Sequence, residues 1–226
     1  MTKFKLDAHV HTMEASPCSH LHAAEVVREY HKHGYGGIVI TDHLGEYFLS
    51  SLKSRKNWHS CMDIFLKGYQ NAKVEGDKLG LEVILGAEIR FNSHSGDFLL
   101  YGIDENFLYD NPHMHKLTPR EFFSRFKDEF LIIQAHPYRN GNKNVPLGCI
   151  HGVEVINGNP WWPDNGNEKA QALCKANPHF YPFYGSDTHQ AQDVGRVYMQ
   201  FGSKIENADQ LRKAVIDRNY TGGMCE

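Results

Sequence analysis

The chain lacks any long apolar run. None approaches the roughly 18 residues that a membrane-crossing helix needs, and the opening Met1-Thr2-Lys3-Phe4-Lys5 leads into a strand-like stretch without the apolar core of a signal peptide. A cytoplasmic protein with no membrane partner is expected. It also lacks an excess of one charge: 24 basic against 27 acidic residues leave a net −3 over 226 residues. Such a balance gives no general affinity for a long nucleic acid or an anionic surface. Paired cysteines are missing too. Cys18, Cys61, Cys149, Cys174 and Cys225 are odd in number and show no Cys-x-x-Cys spacing, which indicates reduced thiols rather than a disulfide framework or a thiolate zinc knot. No repeat, low-complexity tract or long Pro/Gly linker divides the sequence, so residues 1–226 are expected to form a single domain.

Histidine is what the sequence has in excess, with 15 residues and no terminal tag. Around them, eight apolar runs alternate with helical periods, the mark of parallel βαβ units. The runs are Phe4 to Ala8, Gly37 to Thr41, Glu82 to Glu88, Asp97 to Gly102, Phe130 to Ala135, Gly152 to Ile156, Phe180 to Gly185 and Val197 to Phe201. Helices are predicted between them. One carries Ala24, Val27 and Tyr30 and stops at Gly34, and another carries Trp58, Met62, Phe65, Tyr69 and Ala72 until Gly80. Thr118-Pro119-Arg120-Glu121 has the capping residue, proline and glutamate that start a third, and Asn207 caps a last one through Leu211 and Val215. Segments 140–148 and 157–166 read as surface loops. The fold class is α/β, a TIM-like barrel.

Chemistry gathers where these strands end. Asp7-Ala-His9-Val-His11 places two imidazoles at i and i+2, on one side of an extended chain, where they can chelate one ion. The next strand ends in Asp42-His43, the third in Glu88, a later one in His136-Pro137, and the run Phe183-Tyr-Gly-Ser186 in Asp187-Thr-His189. On a parallel barrel the C-terminal rim gathers such residues into one cup. His113-Met-His115 also matches His-x-His, but follows Asn111-Pro112 in a loop with no strand before it, and is expected to be a spectator. His22, His31 and His33 sit on or beside a surface helix and are bystanders.

The set HxH, TDH, strand-terminal Glu, AHP and SDxH, in that order over nearly the whole chain, resembles the polymerase and histidinol phosphatase (PHP) family of metal-dependent phosphoesterases. The resemblance implies a distorted barrel of about seven β/α units and two or three divalent metals, of which His9, His11, Glu88 and Asp187 would hold one. Glu88 would bridge to a second held by His136, and His43 with His189 would serve a third. Two positions depart from the family pattern. Asp97 stands where a further His is common, with His94 as runner-up. Near the third metal, where Asp or His is usual, the chain offers Glu14, Cys18 and His20.

Imidazole and carboxylate ligands suit Zn, Mn or Fe. The expected activity is hydrolysis of a small-molecule phosphoester, by a phosphatase of histidinol-phosphatase type or a small phosphodiesterase, with a metal-bridging hydroxide as nucleophile and Glu88, Asp187 and His189 as the catalytic set. Arg139, three residues after His136, and Arg90, two after Glu88, are candidates to hold phosphate oxygens. Glu154 would orient a ligand His, while Tyr138, Trp161 and Trp162 could rest against the substrate's body. Lys53-Ser-Arg-Lys56 reads as a solvated basic turn. Two other readings are an amidohydrolase-like metal hydrolase, disfavoured because no Lys ends a strand to bridge metals, and a catalytically silent metal-stabilised barrel that binds a partner.

Overall fold

The computed structural model describes residues 3–52, 57–142 and 145–225, so the basic cluster Lys53-Ser-Arg-Lys56 lies outside the described residues. Ten strands form one sheet: β1 (Phe4–Val10), β2 (Gly37–Ile40), β3 (His43–Leu44), β4 (Glu82–Arg90), β5 (Asp97–Tyr101), β6 (Leu131–Gln134), β7 (Gly152–Asn157), β8 (Tyr181–Gly185), β9 (Val197–Phe201) and β10 (Tyr220–Met224). The helices are α1 (Ala23–Lys32), α2 (Glu46–Ser51), α3 (Trp58–Leu79), α4 (Glu105–Asp110), α5 (Pro119–Phe126), α6 (Asn167–Ala176) and α7 (Ala208–Ile216). Strands β1, β2, β4, β5, β6, β7 and β8 follow one another as seven staves. Just past β8, Thr188 bridges in parallel to Val10 of β1, which nearly closes the barrel. The remaining strands are appendages: β3 extends the sheet beside the end of β4, β9 pairs antiparallel with the first half of β1, and β10 pairs antiparallel with β9.

The expectation of an all-parallel barrel is corrected at one stave. β5 runs antiparallel to both β4 and β6. A short reversal from β4 through the turn at 91–96 replaces a helical crossover. Its consequence is positional: the first residue of β5, Asp97, lands on the rim beside Arg90, its register partner at the end of β4.

Local sequence accounts for the helices. Asn57 caps α3 by accepting the Ser60 N–H, and Gly80 ends it at φ 71°, a left-handed conformation that costs glycine little. Thr118 and Glu121 form the expected capping box of α5. The staves are apolar on both faces. Leu6, Ala8, Val39, Ile84, Leu99, Tyr101, Ile133 and Phe183 fill the interior, and Leu211 and Val215 of α7 join them. That helix sits at the end opposite the rim, where Arg212 reaches the Asp128 carbonyl ahead of β6. Outside, Val26, Val27 and Tyr30 of α1 pack with Ile38, Ile40 and Val83. Each such side chain contributes about 1.5–3 kcal/mol by leaving water. No described helix is long and apolar enough to cross a membrane.

Candidate metal centre

Two irregularities aim the site. Between Asp7 and Val10 the pairing of β1 with β2 slips, so that three steps along β1 match two along β2. Leu6 and Ala8 therefore face the interior, Asp7 turns to Tyr30 of α1 (2.8 Å between its Oδ2 and the hydroxyl), and beyond the slip His9 and His11 face inward in their turn. A second slip separates Glu154 from Ile156 on β7. It brings Glu154 and Asn157, three apart, to the same side, where the Asn157 amide donates to Glu154 Oε2 at 2.9 Å. Bulges re-aim side chains in this way. His136 and Asp187, each just beyond a strand, have φ of 28° and 54°. For residues with a Cβ this is strained, at about 1–3 kcal/mol each. Gly185 completes the arrangement, since a Cβ there would collide with the His9 Cβ and Glu154 Oε1.

His9, His11, Glu88 and Asp187 converge from three staves and are all at most 1% exposed. His9 Nε2 and His11 Nε2 lie 3.0 Å apart. Glu88 Oε2 is 3.6 Å from the first and 3.4 Å from the second, and Asp187 Oδ1 is 3.5 Å and 3.2 Å from them. Four ligand atoms about 2.0–2.1 Å from one tetrahedral ion lie about 3.3 Å from each other. Five spacings among these four atoms, 3.0 to 3.6 Å, are thus near that edge length, and the ligand atoms form two groups that share His9: one with His11 and Asp187, the other with Glu88 and His136. Glu88 also reaches two further sides: Oε1 is 2.9 Å from His136 Nε2, and Oε2 is 2.7 Å from His43 Nδ1. His11, His43 and His189 form another group whose ligand atoms lie within 4.8 Å of one another.

The outward-facing ring nitrogens are also fixed. His9 Nδ1 is 2.9 Å from Glu154 Oε1; a carboxylate only accepts, so Nδ1 carries the proton and Nε2 turns a lone pair inward. His11 Nδ1 is 3.1 Å from Ser16 Oγ, whose own proton goes to Asp42 Oδ1 at 2.7 Å, so the same tautomer follows. Ser16, with Thr12 bonded to the same Asp42, was not visible as a site residue in the sequence, because serine five positions past a histidine carries no pattern. Glu154→Gln is expected to weaken metal retention about 10–100-fold with the fold unchanged, the range for such outer partners. Metal-buffer titration followed by elemental analysis measures it.

The charges demand a cation. Burial would push His9 down, yet Glu154, Asp187 and Glu88 raise it well above the ordinary imidazole range. Burial, with His43 and His189 opposite, holds neighbouring His11 well below it. Burial also opposes ionisation of Glu88 and Asp187, but the surrounding imidazoles and, for Asp187, Arg139 keep both well below the usual carboxylate range. One proton can serve only one pair in this nest, whereas a divalent ion at its centre satisfies all four groups. Glu88 Oε2 has only the His43 ring nitrogen within 3 Å, and no well-aligned hydrogen bond. The residues present fit a metal centre.

Other residues named from the sequence fall as follows. Asp97 is on the rim, 3.9 Å from His136 Nε2, but Arg90 grips it, its Nε 2.6 Å from Oδ1. Arg90 is thereby committed to Asp97 in part, and its side chain stays 60% exposed. Arg139 bonds Asp187 Oδ2 at 2.7 Å, Asn157 at 2.6 Å and Asn165 at 3.1 Å while facing the cavity. Glu14 is a correction: its carboxylate accepts the Ala23 N–H at the start of α1, because a helix N-terminus is a ready anion partner. His20 is another, exposed and stacked on Trp161. His94 folds back on the Gly96 N–H. His115 is buried beneath Trp58, away from the cluster. Among the described residues, no metal-ligand group contains Glu14, His20, Asp97 or His115. A cavity of about 780 Å³, walled by His43, His136, Arg139, Trp161 and Trp162, opens above the cluster, and one of about 320 Å³ adjoins it past Arg90.

A family model described as PHP-associated matches residues 165–220, a stretch that includes Asp187 and His189. No curated protein matches the chain. Among solved structures, a two-domain protein from Bacteroides vulgatus containing a predicted PHP-like metal-dependent phosphoesterase superposes with a TM-score of 0.69 at 20% identity, over 98% of this chain and 65% of that one. This chain thus spans less than two thirds of that protein's length. A candidate metal-dependent phosphoesterase from Bifidobacterium adolescentis gives 0.56 at 14% identity, covering 95% and 96% of the two chains. An amidohydrolase from Chromobacterium violaceum, with bound sulfate and no metal, gives 0.55 at 13% identity over 96% and 97%. At such identities the likeness is one of fold. That shared fold is a distorted barrel, and two of these neighbours carry names of PHP-like or metal-dependent phosphoesterases.

Proposed function

We propose that this PHP-like chain is a metal-dependent hydrolase of small-molecule phosphoesters, a phosphatase or small phosphodiesterase that works with two or three Zn, Mn or Fe ions. The observation that carries the proposal is the incomplete tetrahedron of His9, His11, Glu88 and Asp187, with His136 and His43 on the flanks of Glu88. When bound, such ions supply Lewis acidity to a phosphoryl oxygen and make water acidic enough to attack near neutral pH. The chain's own residues do the rest. Glu154 and Ser16 hold two imidazoles in the ligating tautomer. Arg139 fixes Asp187 and borders the cavity, so its guanidinium can meet a phosphate oxygen while it orients the ligand. Arg90, tied to Asp97, presents its remaining N–H groups from the wall between the two cavities. Trp161 and Trp162, 53% and 41% exposed at the mouth, offer apolar faces to the substrate's body.

Substrate size follows from charge. Two arginines beside the metals suffice for one phosphate group, while a polyanion needs a row of cations. Turnover of small phosphoesters by Mn-, Zn- or Fe-loaded protein is therefore expected to depend weakly on salt, and Arg139→Ala to lower kcat/KM about 10–100-fold. A panel of phosphomonoesters, phosphodiesters, amides, lactones and long DNA and RNA tests this. Faster exonuclease than phosphoester turnover would refute the size argument. Amide or lactone hydrolysis alone would favour the amidohydrolase reading, against which stands the absence of lysine from the described lining of both cavities. A metal-loaded protein inert on the whole panel would leave the silent barrel.

A further inference from the structure

We infer that Cys18 is a metal ligand, and that its sulfur with His43 and His189 forms a separate cation site on the rim, suited to a divalent ion of borderline softness such as zinc. The inference rests on the metal-hydrolase reading and chooses Cys18 among the three residues near the third metal.

The geometry runs from three observations. First, the grouped imidazoles of His11, His43 and His189 are more than one ion needs there, because His11 Nε2 already occupies a vertex beside His9, Glu88 and Asp187. His43 and His189 are left with a ligand to find. Second, Cys18 Sγ lies 3.2 Å from His189 Nε2. With bonds of about 2.3 Å to sulfur and 2.0–2.1 Å to nitrogen, a tetrahedral ion sets those two atoms about 3.6 Å apart. A movement of a few tenths of an ångström would admit it. Third, the Cys18 thiol is within hydrogen-bonding reach of the His43 ring as well as of His189, so the three side chains meet at one place.

The backbone holds Cys18 in place. Ser19 N–H donates to the Ser16 carbonyl at 2.8 Å and the Ser19 hydroxyl to the His189 carbonyl at 3.2 Å, while His20 N–H reaches that same carbonyl at 2.7 Å. The turn carrying the thiol is stitched to the strand end carrying its imidazole partner. Glu14 and His20, the other side chains within reach in sequence, are turned to α1 and to Trp161. The remaining cysteines are elsewhere: Cys61 and Cys149 are buried, Cys174 faces the Phe180 carbonyl and Cys225 faces Tyr35. Sulfur in the set selects zinc over manganese or magnesium at this position. Cys18 also lines the large cavity, so a thiol reagent can reach it unless an ion holds it.

Titrating metal-stripped full-length protein with cobalt(II) tests the site. The expected result is a near-ultraviolet sulfur-to-cobalt charge-transfer band, abolished by Cys18→Ser, with one ion held at least about 100-fold more weakly and the others kept. In the unaltered protein, iodoacetamide should label the Cys18 peptide when stripped and fail to label it when zinc-loaded, a readout independent of how the variant folds. Cobalt bound without the band, a band that persists in Cys18→Ser, or labelling indifferent to zinc would overturn this site while leaving the metal-hydrolase reading intact. No cobalt bound by the unaltered protein would remove both.

Discussion

Glu88→Gln is expected to cost metal content and turnover together. Its two oxygens serve different partners: Oε1 meets His136 Nε2 at 2.9 Å, and Oε2 sits among His9, His11 and His43 at 3.6, 3.4 and 2.7 Å. An amide keeps the shape but replaces one anionic oxygen with an NH2 group that cannot ligate, so one ion sharing Glu88 would lose its ligand atom and the other would keep only a neutral carbonyl oxygen. Loss of an outer-shell group costs about 10–100-fold, and a shared direct ligand should exceed the upper end in affinity and in kcat. The fold should survive, since Glu88 is isosteric with Gln and β4 is anchored by Leu85, Ala87 and Ile89 in the apolar cluster outside the barrel. Elemental analysis after reconstitution, beside circular dichroism, checks this. The unaltered protein should hold at least two ions; one ion or fewer rejects the multinuclear centre, and a fully loaded, active Glu88→Gln removes Glu88 from it.

The two His-x-His motifs give the second large effect, because identical spacing should yield opposite outcomes. His9→Ala with His11→Ala removes two vertices of the tetrahedron and leaves Glu88, Asp187 and Glu154 facing one another in a buried nest. Each uncompensated buried charge costs about 3–5 kcal/mol. Loss of metal and of turnover is expected, with a lowered Tm, and His11→Ala alone supplies a better-folded comparison. His113→Ala with His115→Ala should keep metal and activity. It is not silent in stability, however: His115 is fully buried and stacks on Trp58 at 6.3 Å between centroids, and burial holds it below the ordinary imidazole range. A hole beneath that indole should cost about 1–3 kcal/mol, read as a lower Tm. Retained metal in the first variant and lost metal in the second would show that strand context does not distinguish the pairs.

Much of this centre is legible before folding. A run of apolar residues that stops at a histidine, aspartate or glutamate states both the stave and the group at its end, since in a barrel strand direction alone decides which end carries the rim. Hence His9, His11, His43, Glu88, His136, Asp187 and His189 could be read together from runs up to 180 residues apart. The helices were legible for the same kind of local reason, a cap at Asn207 or Thr118 and an apolar stripe behind it. β10, the short α2 and α4, and the longer α6 escaped notice, being brief or weakly patterned.

Composition, order and local pattern therefore determined the chemistry available: imidazoles and carboxylates at the ends of apolar runs, with two arginines beside them. Tertiary structure decided which of these groups meet. The slips in β1 and β7 are differences in register between strands, set by how neighbours pair and not by either strand alone, and they turn His9, His11, Glu154 and Asn157 inward. The reversal of β5 put Asp97 on the rim, into the grip of Arg90. Among Glu14, Cys18 and His20, chosen alike by nearness in sequence, only the path of the turn stitched to His189 could separate them. It sent the carboxylate to a helix end, the imidazole to an exposed tryptophan and the sulfur to His189, because contact at long sequence separation is fixed by packing and carries no local pattern.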